Sequence, residues 1–344
     1  MKALQLTGRC RLEWTEVPKP RLEEDSDVLI QMRSVGVCGS DMHYFRSGKI
    51  GSQVVRYPFL LGHEGAGAVV ETGSRVTRVQ PGDSVAIDPA MPCFECDQCR
   101  SGRTHTCRNL KFLGTPGQAE GCLAEYLVMP ETSLYPLADP LSSDDGVLAE
   151  PLSIAYYAVQ PRTQETHDAV GILGFGPIGM SVFLCAREMG TRHLVVTDKI
   201  EDRLQHARGA GASWCGNPLS EDVVEGILHE HSLGLDVVYE CCGQQDAMDQ
   251  AIHLLKPGGT LVVLGIPEIS RWSFSVDELR HKEITMVNVR RQNECVQPVL
   301  DWMASGTLRH RDMITHRFPA DSATEAFSLV SGYHDGVMKA IIEF

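Results

Sequence analysis

Apolar and polar positions follow two different rhythms along the chain. Up to about residue 150, short apolar and β-branched runs at 28–35, 66–71, 84–87 and 124–128 are separated by turns containing Gly and Pro. Runs of that length bounded by turn residues predict the strands of a β-rich domain. The rhythm then changes. Apolar runs at 170–173, 194–197, 236–240, 260–264 and 284–289 alternate with stretches at 177–189, 200–208, 220–231 and 244–255, each long enough to cross over as a helix. Strand, helix, strand repeated in this way predicts a parallel doubly wound sheet, and so an α/β protein. Residues 291–344 revert to mixed character, with helices expected at 296–305 and 320–331 and an apolar ending at 338–344. So short a tail holds too little core to stand alone. It is expected to return to the first domain, giving a catalytic domain of residues 1–152 and 291–344 with a nucleotide-binding domain of residues 153–290 inserted in it.

Composition agrees with two folded domains: the chain has 344 residues, 43% hydrophobic and 22% charged, far from the polar composition of a disordered chain. A net charge of −14 repels phosphate backbones and anionic membrane surfaces, which argues against nucleic-acid and membrane partners. The polar start, Met1 to Trp14, and the lack of any run of 18 apolar residues lead to the expectation of a cytoplasmic protein. Twelve cysteines in a long chain without an export signal point to metal ligation rather than disulfides.

Three clusters carry chemistry. Gly174-Phe175-Gly176-Pro177-Ile178-Gly179 follows one predicted strand and opens a helix. In that context the first glycine permits a tight turn, the second lets backbone approach a pyrophosphate, and the third lets helix and strand pack closely. Pro177 suits a first helical turn, where its missing N–H has no partner to lose. Nineteen residues after Gly179, Asp198 can accept hydrogen bonds from an adenosine ribose and repel a 2′-phosphate, which favours NAD over NADP, although Lys199 and Arg203 lie near enough in sequence to soften that preference. Cys93-x2-Cys96-x2-Cys99-x7-Cys107 sets four thiolates on one loop, enough to close a tetrahedral shell around a structural zinc. Cys38, in Gly36-Val37-Cys38-Gly39-Ser40-Asp41, and His63-Glu64, in Gly62-His63-Glu64-Gly65, supply a thiolate, an imidazole and a carboxylate with one position open, the ligand set of a catalytic zinc.

In order and spacing these motifs, with Met42-His43-Tyr44 after Asp41, Phe112-Leu113-Gly114-Thr115-Pro116 and Ala149-Glu150-Pro151, resemble the zinc-containing medium-chain dehydrogenase/reductase superfamily, and within it the sorbitol- and xylitol-type polyol dehydrogenases. The resemblance implies a β-rich GroES-like catalytic domain with an inserted Rossmann sheet. It implies NAD and two zinc ions per chain, and a homo-oligomer, dimer or tetramer, joined through the nucleotide domains. Cys38, His63 and one glutamate, Glu64 or Glu150, would hold the catalytic zinc, with Ser40 and His43 relaying the alcohol proton. Tyr44, Phe112, Thr115, Glu150 and Arg290 would line the substrate pocket, and Gly174, Gly176, Pro177, Ile178, Gly179, Asp198 and Arg203 would bind the cofactor. Sorbitol-type enzymes commonly carry an aromatic residue after the pocket arginine, whereas this chain has Arg290-Arg291. A second guanidinium suits a carboxylate, so a sugar acid such as an aldonate, or L-threonine, is the alternative to a polyol. A reading of another class, an inactive NAD-binding or structural protein, predicts broken metal ligands, and here all are present.

Overall fold

Asp27–Gly36 is the strand around which the first half of the molecule is organised. In the computed structural model, which describes residues 1–160 and 169–344, the chain divides into two units, Met1–Glu150 with Asn293–Phe344, and Pro151–Gln292. Within the first unit, Asp27–Gly36 pairs antiparallel with Glu64–Thr72 along one edge. Along the other it pairs with Tyr126–Pro130 and then Lys339–Glu343. The sheet extends through Ser84–Ile87 to Leu134–Pro136 on one side and to Ile314–Pro319 on the other, making seven strands. Val28, Ile30 and Met32 alternate into a core shared with Leu4, Leu6, Phe45 and Phe327.

Tyr126–Pro130 starts two residues later than the apolar pattern predicts. The preceding backbone is already in use: Leu4 donates to the Leu123 carbonyl and Ala124 bridges to Ala3. Those partners come from a hairpin, Lys2–Gly8 and Arg11–Glu16, whose charged residues hide its strand pattern. The C-terminal segment belongs to this unit because its last strand, Lys339–Glu343, completes the sheet with Ile341 opposite Gly36. It is pinned a second time at Asp145, whose carboxylate accepts from Arg311 at 2.8 and 2.9 Å and lies 2.8 Å from His310 Nε2. Hydrogen bonds from the Ser142 side chain and backbone, His310 and Arg311 outweigh burial and hold the Asp145 carboxyl well below the usual carboxylate range.

The second unit is a parallel sheet of six strands in the order Trp214–Gly216, His193–Thr197, Ala169–Leu173, Leu235–Glu240, Leu255–Val263, Thr285–Asn288. Trp214–Gly216 escapes a pattern reading because three residues cannot establish a period. Leu255–Val263 begins earlier than predicted because Lys256-Pro257-Gly258-Gly259 reads as a turn and instead lies inside the strand. The chain order reverses on either side of Ala169–Leu173, so ligands of this sheet belong in the crevice outside the carboxyl ends of the central strands.

Candidate active site

Two neighbouring strand ends bring the first cluster together. Gly36, the last residue of its strand, lies directly opposite Glu64, the first of its partner. Cys38 follows two residues after Gly36 and His63 precedes Glu64, so all three side chains issue from the same end of the sheet. Their ligand atoms lie within 4.8 Å of one another. Gly36 has to be a glycine here, since a Cβ at that position would come within 2.3 Å of Glu64 Oε2. His63 and Glu64 are buried, and buried donors of this kind persist when they are paired or hold a metal. A thiol, an imidazole and a carboxylate that converge on one point fit zinc.

Two further residues, to which the sequence alone gives no role, hold these donors. Asp41, in the first turn of the helix Gly39–Ser47, accepts from the Cys38 backbone N–H at 3.0 Å and the Gly62 N–H at 3.4 Å, and its Oδ1 lies 3.5 Å from His63 Nδ1. One buried carboxylate therefore ties both ligand-bearing segments and faces the imidazole from behind, as carboxylates behind metal-binding histidines do. Burial alone would lower the His63 pKa, but the charges of Asp41 and Cys38 raise it well above the ordinary value. The second residue is Lys339, which donates to both oxygens of Glu64 at 2.8 and 2.6 Å, with each side chain 1% exposed. The register of the C-terminal strand puts it there. A signal was available: a single lysine within Val337-Met338-Lys339-Ala340-Ile341-Ile342 has to find a partner if that strand is buried.

Burial raises the Glu150 carboxyl to about 7, with His63 and Lys339 pulling it down and Glu64 and Asp88 pushing it up. Ser40 Oγ is 3.5 Å from His63 Nε2, and His43 is half-buried on the same helix. The Phe112 ring centroid is 5.8 Å from that of His63. Tyr44 is buried and its hydroxyl donates to Gln53 Oε1 at 3.2 Å, while Thr115 is buried in the turn after Phe112. Arg290 belongs to the other unit, just beyond the strand Thr285–Asn288.

The four-cysteine loop closes on itself. Sulfur separations are 3.4 Å for Cys93 and Cys107, 3.6 Å for Cys96 and Cys99, and 3.9 Å for Cys96 and Cys107. A tetrahedron with Zn–S bonds of about 2.3 Å has edges of about 3.8 Å, so the loop matches a zinc shell. Backbone N–H groups of Arg108 and Cys99 lower the Cys96 thiol to about 6, towards the thiolate a metal needs. Asp97 and Arg108, each next to a cysteine of the set, pair in bidentate fashion at 2.5 and 2.8 Å and staple the loop. Cys96→Ser is expected to lower the thermal midpoint by at least about 5 °C and to halve zinc content, because structural zinc contributes directly to stability. A variant that loses activity at wild-type stability and zinc content would contradict a structural role for this loop.

In the second unit, Gly174 has φ +92°, and a Cβ on Gly179 would meet the Gly174 carbonyl at 2.0 Å, so both glycines are required by geometry. Gly176 precedes the helix Pro177–Glu188 with Pro177 and Ile178 in its first turn, which leaves free N–H groups facing outward. Asp198, one residue past His193–Thr197, accepts from the Phe175 N–H at 2.6 Å and the Ile200 N–H at 2.8 Å. Arg203 lies 3.8 Å from Asp198 Oδ2 and against Gly176. From the helix Glu201–Ala210 its side chain, 14% exposed, packs against the turn.

Comparison with known proteins agrees with this arrangement. Residues 24–139 match the alcohol dehydrogenase GroES-like domain and residues 177–305 the zinc-binding dehydrogenase family. A sorbitol dehydrogenase of Bacillus subtilis is 29% identical over 99% of this chain and 97% of its own length. D-xylulose reductase A of Aspergillus oryzae is 31% identical over 94% of this chain and 91% of its own. Among solved structures, one from Sinorhizobium meliloti bound to NADP superposes with a TM-score of 0.90 at 28% identity, covering 100% of this chain and 99% of that one. With both family models matched in order and a relative above 30% identity covered almost end to end, the chain belongs to the zinc-containing medium-chain dehydrogenase/reductase superfamily, in its polyol-dehydrogenase-like branch, whose cofactors are zinc and NAD(P).

Proposed function

We propose that this protein oxidises a secondary hydroxyl of a pentitol or hexitol to the ketose with NAD, using two zinc ions per chain, one held by Cys38, His63 and Glu64 and one by Cys93, Cys96, Cys99 and Cys107. The observation that carries the reading is the convergence of Cys38, His63 and Glu64 within 4.8 Å in a chain that also bears the dinucleotide turn. When bound, zinc supplies the Lewis acidity that eases loss of an alcohol proton, and NAD supplies the hydride acceptor. The side chains account for the rest. Ser40 Oγ, 3.5 Å from His63 Nε2, accepts the substrate proton and passes it to His43 on the same helix. Asp41 and Lys339 hold His63 and Glu64 in place, and the buried Glu150 carboxyl and Phe112 bound the polar and apolar sides of the hydroxyl site. Tyr44, whose proton is donated to Gln53, presents its oxygen as an acceptor. Thr115 completes the pocket in this reading.

No helix among the described residues is long and apolar enough to cross a membrane. A four-thiol metal loop suits a reducing compartment, which supports the cytoplasm. A homo-oligomer through the nucleotide unit is supported by the strand Thr285–Asn288, which ends its sheet with one edge unpaired among the described residues. Purified enzyme screened with NAD against pentitols, hexitols, aldonates and threonine tests the substrate: NADH formation is expected with polyols, and activity confined to aldonates or threonine would overturn that assignment. Asp198 is proposed to recognise the adenosine ribose. Asp198→Ala should reduce the preference for NAD over NADP at least about tenfold, the scale of a lost charged hydrogen bond. An unchanged ratio of kcat/KM values would refute the role.

A further inference from the structure

The strand Leu235–Glu240 ends on a carboxylate that the reaction chemistry leaves unused. Glu240 is 0% exposed. Its Oε1 accepts from the Cys242 N–H at 2.8 Å, the Gly243 N–H at 2.6 Å and the Cys242 thiol at 3.1 Å. Its backbone carbonyl accepts from Leu264 and Gly265 at 2.8 and 3.0 Å. Among the described residues Oε2 has no hydrogen-bond partner, and it faces Gly265, where a Cβ would come within 2.6 Å of it and 2.2 Å of the Gly243 nitrogen. One residue thus clamps the loops that follow two adjacent strands. The first of these loops in turn abuts the dinucleotide turn: a Cβ on Gly174 would meet Cys242 Cβ at 2.7 Å and Cys242 N at 3.1 Å. Burying a carboxylate with one oxygen unsatisfied is costly, and that cost is borne where two strand-end loops meet the dinucleotide turn.

Topology says what the loop faces. His193–Thr197 and Leu235–Glu240 flank Ala169–Leu173 on opposite sides. With the adenosine ribose at Asp198, beyond the first of these flanking strands, and the pyrophosphate at the glycine turn, the remaining half of the dinucleotide has to run past the end of the second. We infer that Glu240 is a positioning residue for the nicotinamide half of the cofactor, holding the backbone of residues 241–243 against the glycine turn as the wall along which that half lies. The inference rests on the NAD reading above and goes beyond it in assigning Glu240.

Binding of AMP and of NADH, measured by calorimetry on the wild type, Glu240→Gln and Glu240→Asp, separates the halves of the cofactor. Gln keeps the size and one carbonyl acceptor for the contacts at Oε1 but loses the charge that strengthens them, whereas Asp keeps the charge and retracts from the Gly243 N–H. Both variants should bind AMP within about twofold of wild type and NADH about tenfold more weakly, the scale of one charge-assisted hydrogen bond. The KM for NAD should rise in step while kcat stays within about threefold. NADH affinity unchanged in both variants would overturn the inference. So would equal weakening of AMP and NADH, including variants too unstable to bind either, since that pattern marks a purely structural residue. A wild type that binds AMP but not NADH would remove the cofactor reading itself, and that failure is recognisable because it precedes any substitution.

Discussion

His63→Ala should abolish alcohol oxidation, lowering kcat/KM by about four orders of magnitude or more, while leaving NADH affinity near the wild-type value. The imidazole is one of three donors within 4.8 Å, and without it a catalytic metal loses a ligand as well as the support that Asp41 gives it. Removing the Lewis acid restores the full difficulty of deprotonating an alcohol near neutral pH, and each factor of ten in rate corresponds to about 1.4 kcal/mol. The dinucleotide turn, Asp198 and Arg203 all belong to the Pro151–Gln292 unit, so cofactor binding has no reason to follow. Zinc should fall from about two per chain to about one, the survivor being the closed four-thiolate loop. Retained turnover in a variant with less than two zinc ions would place the chemistry elsewhere.

Lys339→Met should produce the second large effect, through a residue that touches neither substrate nor cofactor in the proposed mechanism. Its ammonium pairs with both oxygens of Glu64 where each side chain is 1% exposed. Breaking a buried ion pair by removing one partner costs about 3 to 5 kcal/mol, because the other charge stays buried and uncompensated. For a chain of this size that corresponds to a fall in thermal midpoint of roughly 10 °C. Glu64 would also be freed to move away from Cys38 and His63, so kcat should drop about a hundredfold. The double variant Lys339→Met with Glu64→Gln should regain much of the stability, because the buried charge goes with its partner, and should stay inactive, because Glu64 is itself a proposed metal ligand. A single variant with wild-type midpoint and kcat would show that Lys339 does not hold the carboxylate.

Much of this architecture is legible in the pattern of residues. The central strands of both units are long or strongly apolar, and the glycines of the dinucleotide turn stand at spacings that only a turn between strand and helix makes useful. Cys38, His63 and Glu64 stand out because each sits in a glycine-flanked motif, and the glycines prove to be needed for close approach, as at Gly36. Lys339 was not legible in the same way. It meets Glu64 across 275 positions in sequence, through a register between the last strand and Asp27–Gly36 that no local pattern encodes. Asp41 was visible beside Cys38, yet its role depends on Gly62 and His63 reaching it from another strand end. Tyr44 shows the converse: it sits in a recognisable motif, but its partner Gln53 lies beyond the helix that carries it, so the direction of its hydroxyl could not be inferred. Glu240 closes a strand whose apolar run explains its burial, but its work is done by hydrogen bonds to backbone groups that sequence does not distinguish.

The most direct test of the account is NAD reduction by the purified protein in the presence of a pentitol or hexitol, followed before chelation, after removal of the exchangeable metal, and after zinc is restored. The account predicts NADH formed in equal amount with a ketose, lost on chelation while NADH binding persists, and recovered with zinc. Polyol oxidation at the original rate in protein depleted of the metal at Cys38, His63 and Glu64 would contradict it.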